Sequence, residues 1–390
     1  MFAFELGREF RLSLAEIFVV FPLGNTIFCD KKILILDWIS KKEILSKAKN
    51  LGWSIKIIEI IKKDILRDIL KEIETIFFED LDITNYKWKF NYAINIFWNS
   101  PIWHKDFLKI SKKVIKKLGK NPRFINQDFK NISSVAIIKE ALVKKETDFN
   151  FIFVWEKIYF WKTIFVQDIY GYSNRDYSKD RDMYVGMLPP KLAQIMINIS
   201  RWKIIYDPFV WLGTVLIESI FMWNKKVFWS DVNKKIVEIT NKNLDNLKNK
   251  FNFEKKIIFQ NAKYIHEIDF LSEVDAIVTE WYLWEIMTKN NISIERIEKQ
   301  RKKLSDLYEW FFSGLKKLNF KWNIIISFPF WEISDKFLYF EEIYDIINKY
   351  SLIQKLLPEN IEFNETKSGS LLYKRNSQLV GREIFSLKIK

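Results

Sequence analysis

Cysteine and histidine are almost missing from this 390-residue chain. Cys29 stands alone, so no disulfide forms within the chain and a zinc–thiolate site lacks ligands. His104 and His266 are the only histidines, which argues against a catalytic triad or a histidine metal site and suits two surface residues. No apolar run reaches the roughly 18 residues that span a bilayer; the longest, such as 17–23, are strand-sized. The opening MFAFELGREFRLS carries Glu5 and Glu9 and has no signal-peptide pattern. There is no Pro/Gly/Ser-rich linker and no fixed-period repeat. The expectation is a cytoplasmic protein with no membrane partner and no metal.

Glycine is the most informative shortage. The chain has 10 glycines and 16 tryptophans, against an average glycine usage of about 7%, or roughly 27 residues here. The two counts together come close to that figure. The tryptophans also sit where glycine is common. Trp88 lies between Lys87 and Lys89, Trp98 precedes Asn99-Ser100-Pro101, Trp202 lies between Arg201 and Lys203, Trp223 precedes Asn224-Lys225, and Trp322 lies between Lys321 and Asn323. These are turn neighbourhoods, where glycine supplies positive φ without steric cost. The pattern fits glycines encoded by a reassigned UGA codon and written as tryptophan, and the Lys, Ile, Asn and Phe bias fits an AT-rich genome. The other reading is an aromatic-rich protein with genuine tryptophan.

What is abundant is positive charge, with a net +14. Residues 101–130 hold nine basic side chains against Asp106 and Asp128, half of the total excess. Lys109, Lys112, Lys113, Lys116, Lys117 and Lys120 recur at helical spacing, opposite Phe107, Leu108, Ile110, Val114, Ile115 and Leu118. Such a helix can follow a phosphate backbone, with Arg123 beside it. It can equally be an ordinary solvated face.

The length predicts two or three domains. Residues 1–155 mix short apolar runs with charged helical stretches and read as an α+β module. Residues 156–185 read as a strand pair and linker. Residues 186–390 form the third segment, in which strands and helices alternate from Ile204, as a mostly parallel α/β sheet requires. Pro190 opens a helix, where its missing N–H is not needed.

The strand Ile204–Tyr206 leads into DPFVWLGT (Asp207–Thr214) and then an apolar helix. A strand, a tight loop and a helix N-terminus form a nucleotide-type site. Such a loop favours glycine so that backbone N–H groups can approach a ligand; Gly213 supplies one, and Trp211 stands where another is expected. Asp231 ends the next strand, 18 residues past Gly213, where an acid can bind ribose hydroxyls, although a lone strand-end acid is usually just solvated. A third strand runs into Gln260-Asn261-Ala262, near an adenine position. A fourth ends in TEWYLW (Thr279–Trp284) and a fifth in FPFW. These loops are expected to converge on one crevice.

With glycine at 211 the loop reads DPFVGLGT, which resembles motif I of S-adenosyl-L-methionine (SAM) dependent methyltransferases acting on RNA guanine. The whole chain resembles the THUMP-domain tRNA guanine-N2-methyltransferases. VGMLPPKLAQIMIN (Val185–Asn198) is the most specific stretch, supported by SSVAIIKEALVKKETDFNFI, VQDIYGYSNRDYSKDRD, the N-terminal Met1–Phe10, LGWSIKI and the closing LLYKRNSQLVGREIF. Reading Trp53, Trp161, Trp211, Trp229 and Trp284 as glycine improves the match at each place.

The resemblance implies a THUMP-bearing module that grips the tRNA acceptor end, and a Rossmann-like methyltransferase domain that modifies guanosine 10. It implies that Asp207, Phe209, Trp211, Gly213 and Thr214 line the methionine moiety of SAM, that Asp231 holds the ribose, and that Asn261 and Ala262 lie near the adenine. Asn261 replaces the family's usual Asp. The family's Asp/Asn-Pro-Pro-Tyr loop corresponds to Thr279, Glu280, Trp281 and Tyr282. Tyr282 would stack on an extruded guanine. Thr279 or Glu280 would accept the amine hydrogen bond, and Glu280 would take the released proton. Alternatively Glu280 caps a loop and a backbone carbonyl is the acceptor. Two other functions stay open: ribosomal RNA methylation by the same chemistry, and a non-catalytic RNA-binding protein if Trp211 and Trp281 are genuine.

Overall fold

The structure is a computed structural model that describes the chain except for residues 66–72, 76–87, 99–102, 127–129, 178–187, 202, 281–286, 288–290 and 377. The chain forms two compact units, residues 1–8, 23–49 and 54–170, and residues 9–22, 50–53 and 171–390. The second unit thus takes in the first helix, α1 (Phe10–Val20).

In the first unit, β1 (Phe2–Leu6), β2 (Asn25–Cys29), β3 (Ile33–Asp37), β4 (Ser54–Glu59), β5 (Lys62–Ile65), β6 (Lys89–Phe97), β7 (Asn121–Phe124), β8 (Asp148–Val154) and β9 (Lys157–Val166) form one sheet. Its order is β2-β3-β1-β4-β9-β8-β6-β7, with β5 also paired to β9. The pairs are antiparallel except that β6 runs parallel to both β7 and β8. The segment 156–185, read from sequence as a strand pair and linker, contributes β9 to this sheet. Along β8 the side chains alternate as the pleat requires: Phe149, Phe151 and Phe153 enter one cluster, Ile152 and Val154 another. Buried Asp148 is satisfied by Asn95 Nδ2 at 2.7 Å and Thr163 Oγ1 at 2.5 Å, with Lys56 Nζ at 3.6 Å.

The helices of this unit are α2 (Lys41–Lys47), α3 (His104–Lys117) and α4 (Ser134–Lys139). Ser40 and Ser133 accept the first-turn N–H of Glu43 and Ala136 and so start α2 and α4. α3 buries Phe107, Ser111, Val114 and Ile115, the face its periodicity predicts. It ends at Gly119, whose φ of +77° turns the chain out of the helix. There Gly119 N–H donates to Lys116 O and Lys120 N–H to Ile115 O, the paired bonds of a Schellman cap.

In the second unit, α5 (Ile169–Tyr177) and α6 (Pro190–Ser200) precede β10 (Ile204–Asp207). Then follow α7 (Thr214–Phe221), β11 (Lys226–Asp231), α8 (Lys234–Asp245), β12 (Glu254–Phe259), β13 (Ala276–Glu280), α9 (Ile294–Lys317), β14 (Asn323–Ile333), β15 (Lys336–Tyr339), α10 (Glu342–Tyr350), β16 (Ser351–Ile353), β17 (Leu371–Tyr373) and β18 (Val380–Ile389). The sheet runs β12-β11-β10-β13-β14-β18-β16. Its first five strands are parallel, and β18 lies antiparallel to β14 and β16. This is the α/β, mostly parallel, Rossmann-like architecture expected from the alternation that begins at Ile204. Both faces are covered: Phe228 and Ile277 join Tyr308, Phe311 and Phe312 of α9, while Val227 and Trp229 join Leu216, Ile220 and Leu244 of α7 and α8.

α1 packs on α6 within this unit. Its buried Glu16 ties the short segment 50–53 to α6: Oε1 accepts from Gly52 N–H at 2.7 Å and from Asn198 Nδ2 at 2.6 Å, and Oε2 from Trp53 N–H at 3.2 Å. Burial pushes the Glu16 carboxyl up to about 7 against the pull of these bonds. Among the described residues no helix is long and apolar enough to cross a membrane, and no cluster of His, Cys, Asp and Glu is arranged to hold a metal.

Candidate cofactor and catalytic site

The strand order reverses beside β10, where β11 and β12 lie on one side and β13 and β14 on the other. In open α/β sheets the crevice outside the carboxyl ends at such a point is the ligand position. Asp207 ends β10 and is 2% exposed. Its Oδ1 accepts from Thr279 Oγ1 at 2.6 Å, on the neighbouring β13, and from Phe209 N–H at 3.2 Å. Burial pushes the Asp207 carboxyl up to about 7. The two hydrogen bonds oppose that shift, and the charges of Asp231 and Glu280 add to it.

The loop after Asp207 is held by the adjacent strand and helix. Phe209 turns its ring into the core against Tyr308 and Phe311, with centroids 5.9 and 5.7 Å apart; what it offers the loop is backbone. Gly213 N–H donates to Val210 O at 2.8 Å, closing a turn with Trp211 at φ +47°. Trp211 N–H lies 3.4 Å from Asp231 Oδ2, and Trp211 O accepts from Thr240 Oγ1 at 2.6 Å. The indole Nε1 is buried without a hydrogen-bond partner. Gly213 has φ +75°, and a Cβ there would stand 2.8 Å from Thr240 Cγ2. Thr214, buried, is the first residue of α7, so the positive end of that helix begins at this loop.

Asp231 ends β11, with Oδ1 accepting from Asn233 N–H at 2.9 Å. Burial raises its carboxyl, opposed by the backbone donors of Asn233, Trp211 and Val232. Asn261 follows β12 and caps the short 3₁₀ turn Ala262–Glu267, its Oδ1 accepting from Lys263 N–H at 3.0 Å; Ala262 is buried beside it.

Glu280 ends β13 one residue after Thr279. Both Arg382 Nη2 at 2.5 Å and Arg382 Nε at 2.6 Å reach its Oε1. The pair is largely withdrawn from water, with side chains 14% and 6% exposed. Desolvation raises the Glu280 carboxyl, and the guanidinium opposes this by charge and hydrogen bonding. Sequence reasoning gave Arg382 no role, although it lies in the closing stretch LLYKRNSQLVGREIF. An Arg382-Glu383 pair between the apolar residues Leu379-Val380 and Ile384-Phe385 is its local signal. Thr279, Glu280, Asp207, Asp231 and Asn261 therefore all stand at carboxyl ends of adjacent parallel strands. Trp281 and Tyr282 fall outside the described residues.

The basic residues belong to the first unit. Lys109, Lys112, Lys113, Lys116 and Lys117 are on the exposed face of α3, and Arg123 is exposed on β7. Lys113 and Lys117 are already paired, 2.9 and 3.5 Å from Glu74 Oε1, and Lys109 lies 3.9 Å from Asp106 Oδ1. Arg123 also lines a cleft of about 510 Å³ with Lys130, Asn131, Ser133 and Lys139.

No protein-family model matches the chain, and no curated protein matches its sequence. Its fold is similar to that of solved structures. TrmN from Thermus thermophilus superposes with a TM-score of 0.51 at 12% identity, over 100% of this chain and 99% of that one. A structure described as a possible methylase from Clostridium difficile 630 gives a TM-score of 0.47 at 11% identity, over 98% and 97%. The first likeness extends the shared fold across both units of the chain.

Proposed function

We propose that this chain is a SAM-dependent methyltransferase that transfers a methyl group to the exocyclic N2 amine of a guanosine in tRNA, at position 10. The observation that carries the reading is the juxtaposition at the switch point. Asp207 of the glycine-type loop is hydrogen-bonded to Thr279, and Thr279 precedes an Arg-paired carboxylate. The fold shared with TrmN and the resemblance of the sequence motifs support the methyltransferase part of the reading.

The residues present suit the cofactor. The start of α7 at Thr214 and the Gly213 turn would hold the methionine end, Asp231 the ribose, and Asn261 and Ala262 the adenine side. The Trp211 indole is the one side chain that does not fit such a loop. SAM supplies a methyl group already activated on sulfonium, so the protein's task is to position an amine and accept its proton. Thr279 donates its hydroxyl proton to Asp207 and keeps its own lone pairs for an incoming N–H. Arg382 binds Oε1 of Glu280, and its charge opposes the rise that burial imposes on that carboxyl; as the carboxylate, Glu280 would accept the amine proton. The exposed lysines of α3 and Arg123 would contact the tRNA backbone.

The test is calorimetric titration with SAM followed by methylation of tRNA transcripts. Saturable binding, and methyl transfer lost when guanosine 10 is replaced by adenosine, are the expected results. Transfer to ribosomal RNA alone would move the substrate, and no SAM binding with either glycine or tryptophan at 211 would end the enzyme reading. Asp231→Ala should weaken SAM binding at least about tenfold.

A further inference from the structure

We infer that residues 38, 98, 155, 211 and 223, written as tryptophan, are glycine in the protein that the source cell makes. Eleven described non-glycine residues have positive φ, and five of them are these tryptophans, at +63°, +72°, +51°, +47° and +71°. An L-residue with a bulky side chain is disfavoured there, because Cβ crowds the following carbonyl; glycine alone adopts the state freely. The other six are Ala, Glu, Arg, Asn, Ser and Asp, smaller or flexible side chains.

Three of the five sit in turns whose geometry specifies glycine. Trp223 follows α7 and donates to Ile220 O at 2.9 Å, while Asn224 N–H reaches Ser219 O at 3.1 Å. That is the Schellman cap of α3 repeated, with tryptophan in the place of Gly119. Trp155 opens the two-residue loop between β8 and β9, where Val154 pairs with Lys157. A two-residue hairpin with positive φ at its first loop residue is a type II′ turn, which takes glycine at that position. Trp211 holds the equivalent position in the turn closed by Gly213 N–H and Val210 O.

The side chains add a second line of support. Trp38, Trp98, Trp155 and Trp223 are 77%, 47%, 84% and 61% exposed; Trp98 and Trp155 meet Phe28, and Trp223 meets Phe251, edge to face. The buried ones are no better satisfied: Trp211, Trp229 and Trp331 each have an indole N–H without an acceptor, where a buried tryptophan normally finds one. A UGA codon, read as tryptophan in one variant of the code and as glycine in another, accounts for all of this with one change.

Peptide mass spectrometry of the native chain decides the matter. Glycine is expected at all five positions, and tryptophan in the peptide overturns the inference for that position. A second measurement uses the recombinant full chain as written, beside the same chain carrying Trp38→Gly, Trp98→Gly, Trp155→Gly, Trp211→Gly and Trp223→Gly. The substituted chain should unfold about 5 °C higher or more. An equal or lower midpoint overturns the inference that these turns are built for glycine. Neither readout involves methyl transfer, so failure of the proposed activity leaves the inference standing.

Discussion

The ends of α3 and α7 are two copies of one device. Each closes with the same pair of backbone hydrogen bonds and puts its next residue at φ +77° or +71°. At α3 that residue is Gly119; at α7 it is Trp223. One backbone state thus carries the smallest and the largest side chain. The loop at the cofactor crevice repeats the contrast within three residues, with Trp211 at +47° and Gly213 at +75°. The lesson is that backbone conformation, set by neighbours and hydrogen bonds, identifies the residue that a position is built for. A left-handed position held by a residue other than glycine costs of order 1–3 kcal/mol.

The largest expected effect separates the crevice turn from the helix caps. The caps are closed by paired backbone bonds, joined at α7 by Asn224 Nδ2 donating to Ser219 Oγ at 2.7 Å, whereas the crevice turn leans on the buried carboxyl of Asp207 through Phe209 N–H. Asp207 titrates near 7 when folded and near 3.8 when unfolded. Its contribution to stability is therefore complete below about pH 4 and declines as pH rises towards 7, by up to about 4 kcal/mol. The difference in urea midpoint between wild type and Asp207→Asn should shift in favour of the variant between pH 5 and 8, and a constant difference would refute this. Next, Gly213→Ala combines positive φ with a Cβ 2.8 Å from Thr240 Cγ2, and should cost about 2–3 kcal/mol in denaturant unfolding. A loss below about 1 kcal/mol would show that Thr240 yields easily.

The caps themselves give smaller and opposite effects. Trp223→Gly should stabilise by about 1–2 kcal/mol, with equal gains at pH 5 and pH 8 because the bonds that close that turn run to the carbonyls of Ile220 and Ser219. A destabilised variant would break the equivalence of the two helix ends. Gly119→Ala is the mildest change: nothing lies within 4 Å of the added Cβ, so only the φ penalty of about 1 kcal/mol remains. A larger loss by thermal unfolding would mean that the α3 cap carries more than conformational preference.

Periodicity and composition reveal a good part of this molecule. The alternation after Ile204 shows the parallel sheet, and the strand-end positions of Asp207, Asp231, Asn261, Thr279 and Glu280 are readable because ligands gather at carboxyl ends. The amphipathic α3 is equally plain from its lysine spacing. Contacts across long sequence separations are not readable. Thr279 meets Asp207 across 72 residues, and Arg382 meets Glu280 across 102; the second depends on β18 running antiparallel against β14, for which the apolar pattern gives no direction. Likewise, the lysine spacing of α3 says nothing of Glu74, which pairs with two of its lysines. The left-handed state of the tryptophans leaves only a trace in the sequence, through their Asn, Lys and Pro neighbours.

The Glu16 contacts have a consequence for how the chain is made. α1 is synthesised well before the helix it packs against, which begins at Pro190, about 170 residues later. At roughly 5–20 residues per second, α1 leaves the ribosome some ten to thirty-five seconds before its partner exists. For that interval Leu12, Leu14, Ala15 and Ile17 have no native surface to cover them, and Glu16 lacks the amide of Asn198. A fragment beginning at residue 186 would meet the converse problem, with α6 permanently missing the helix that shields it. The second unit is thus a domain in space without being a segment in sequence, and its assembly waits on residues made long after α1.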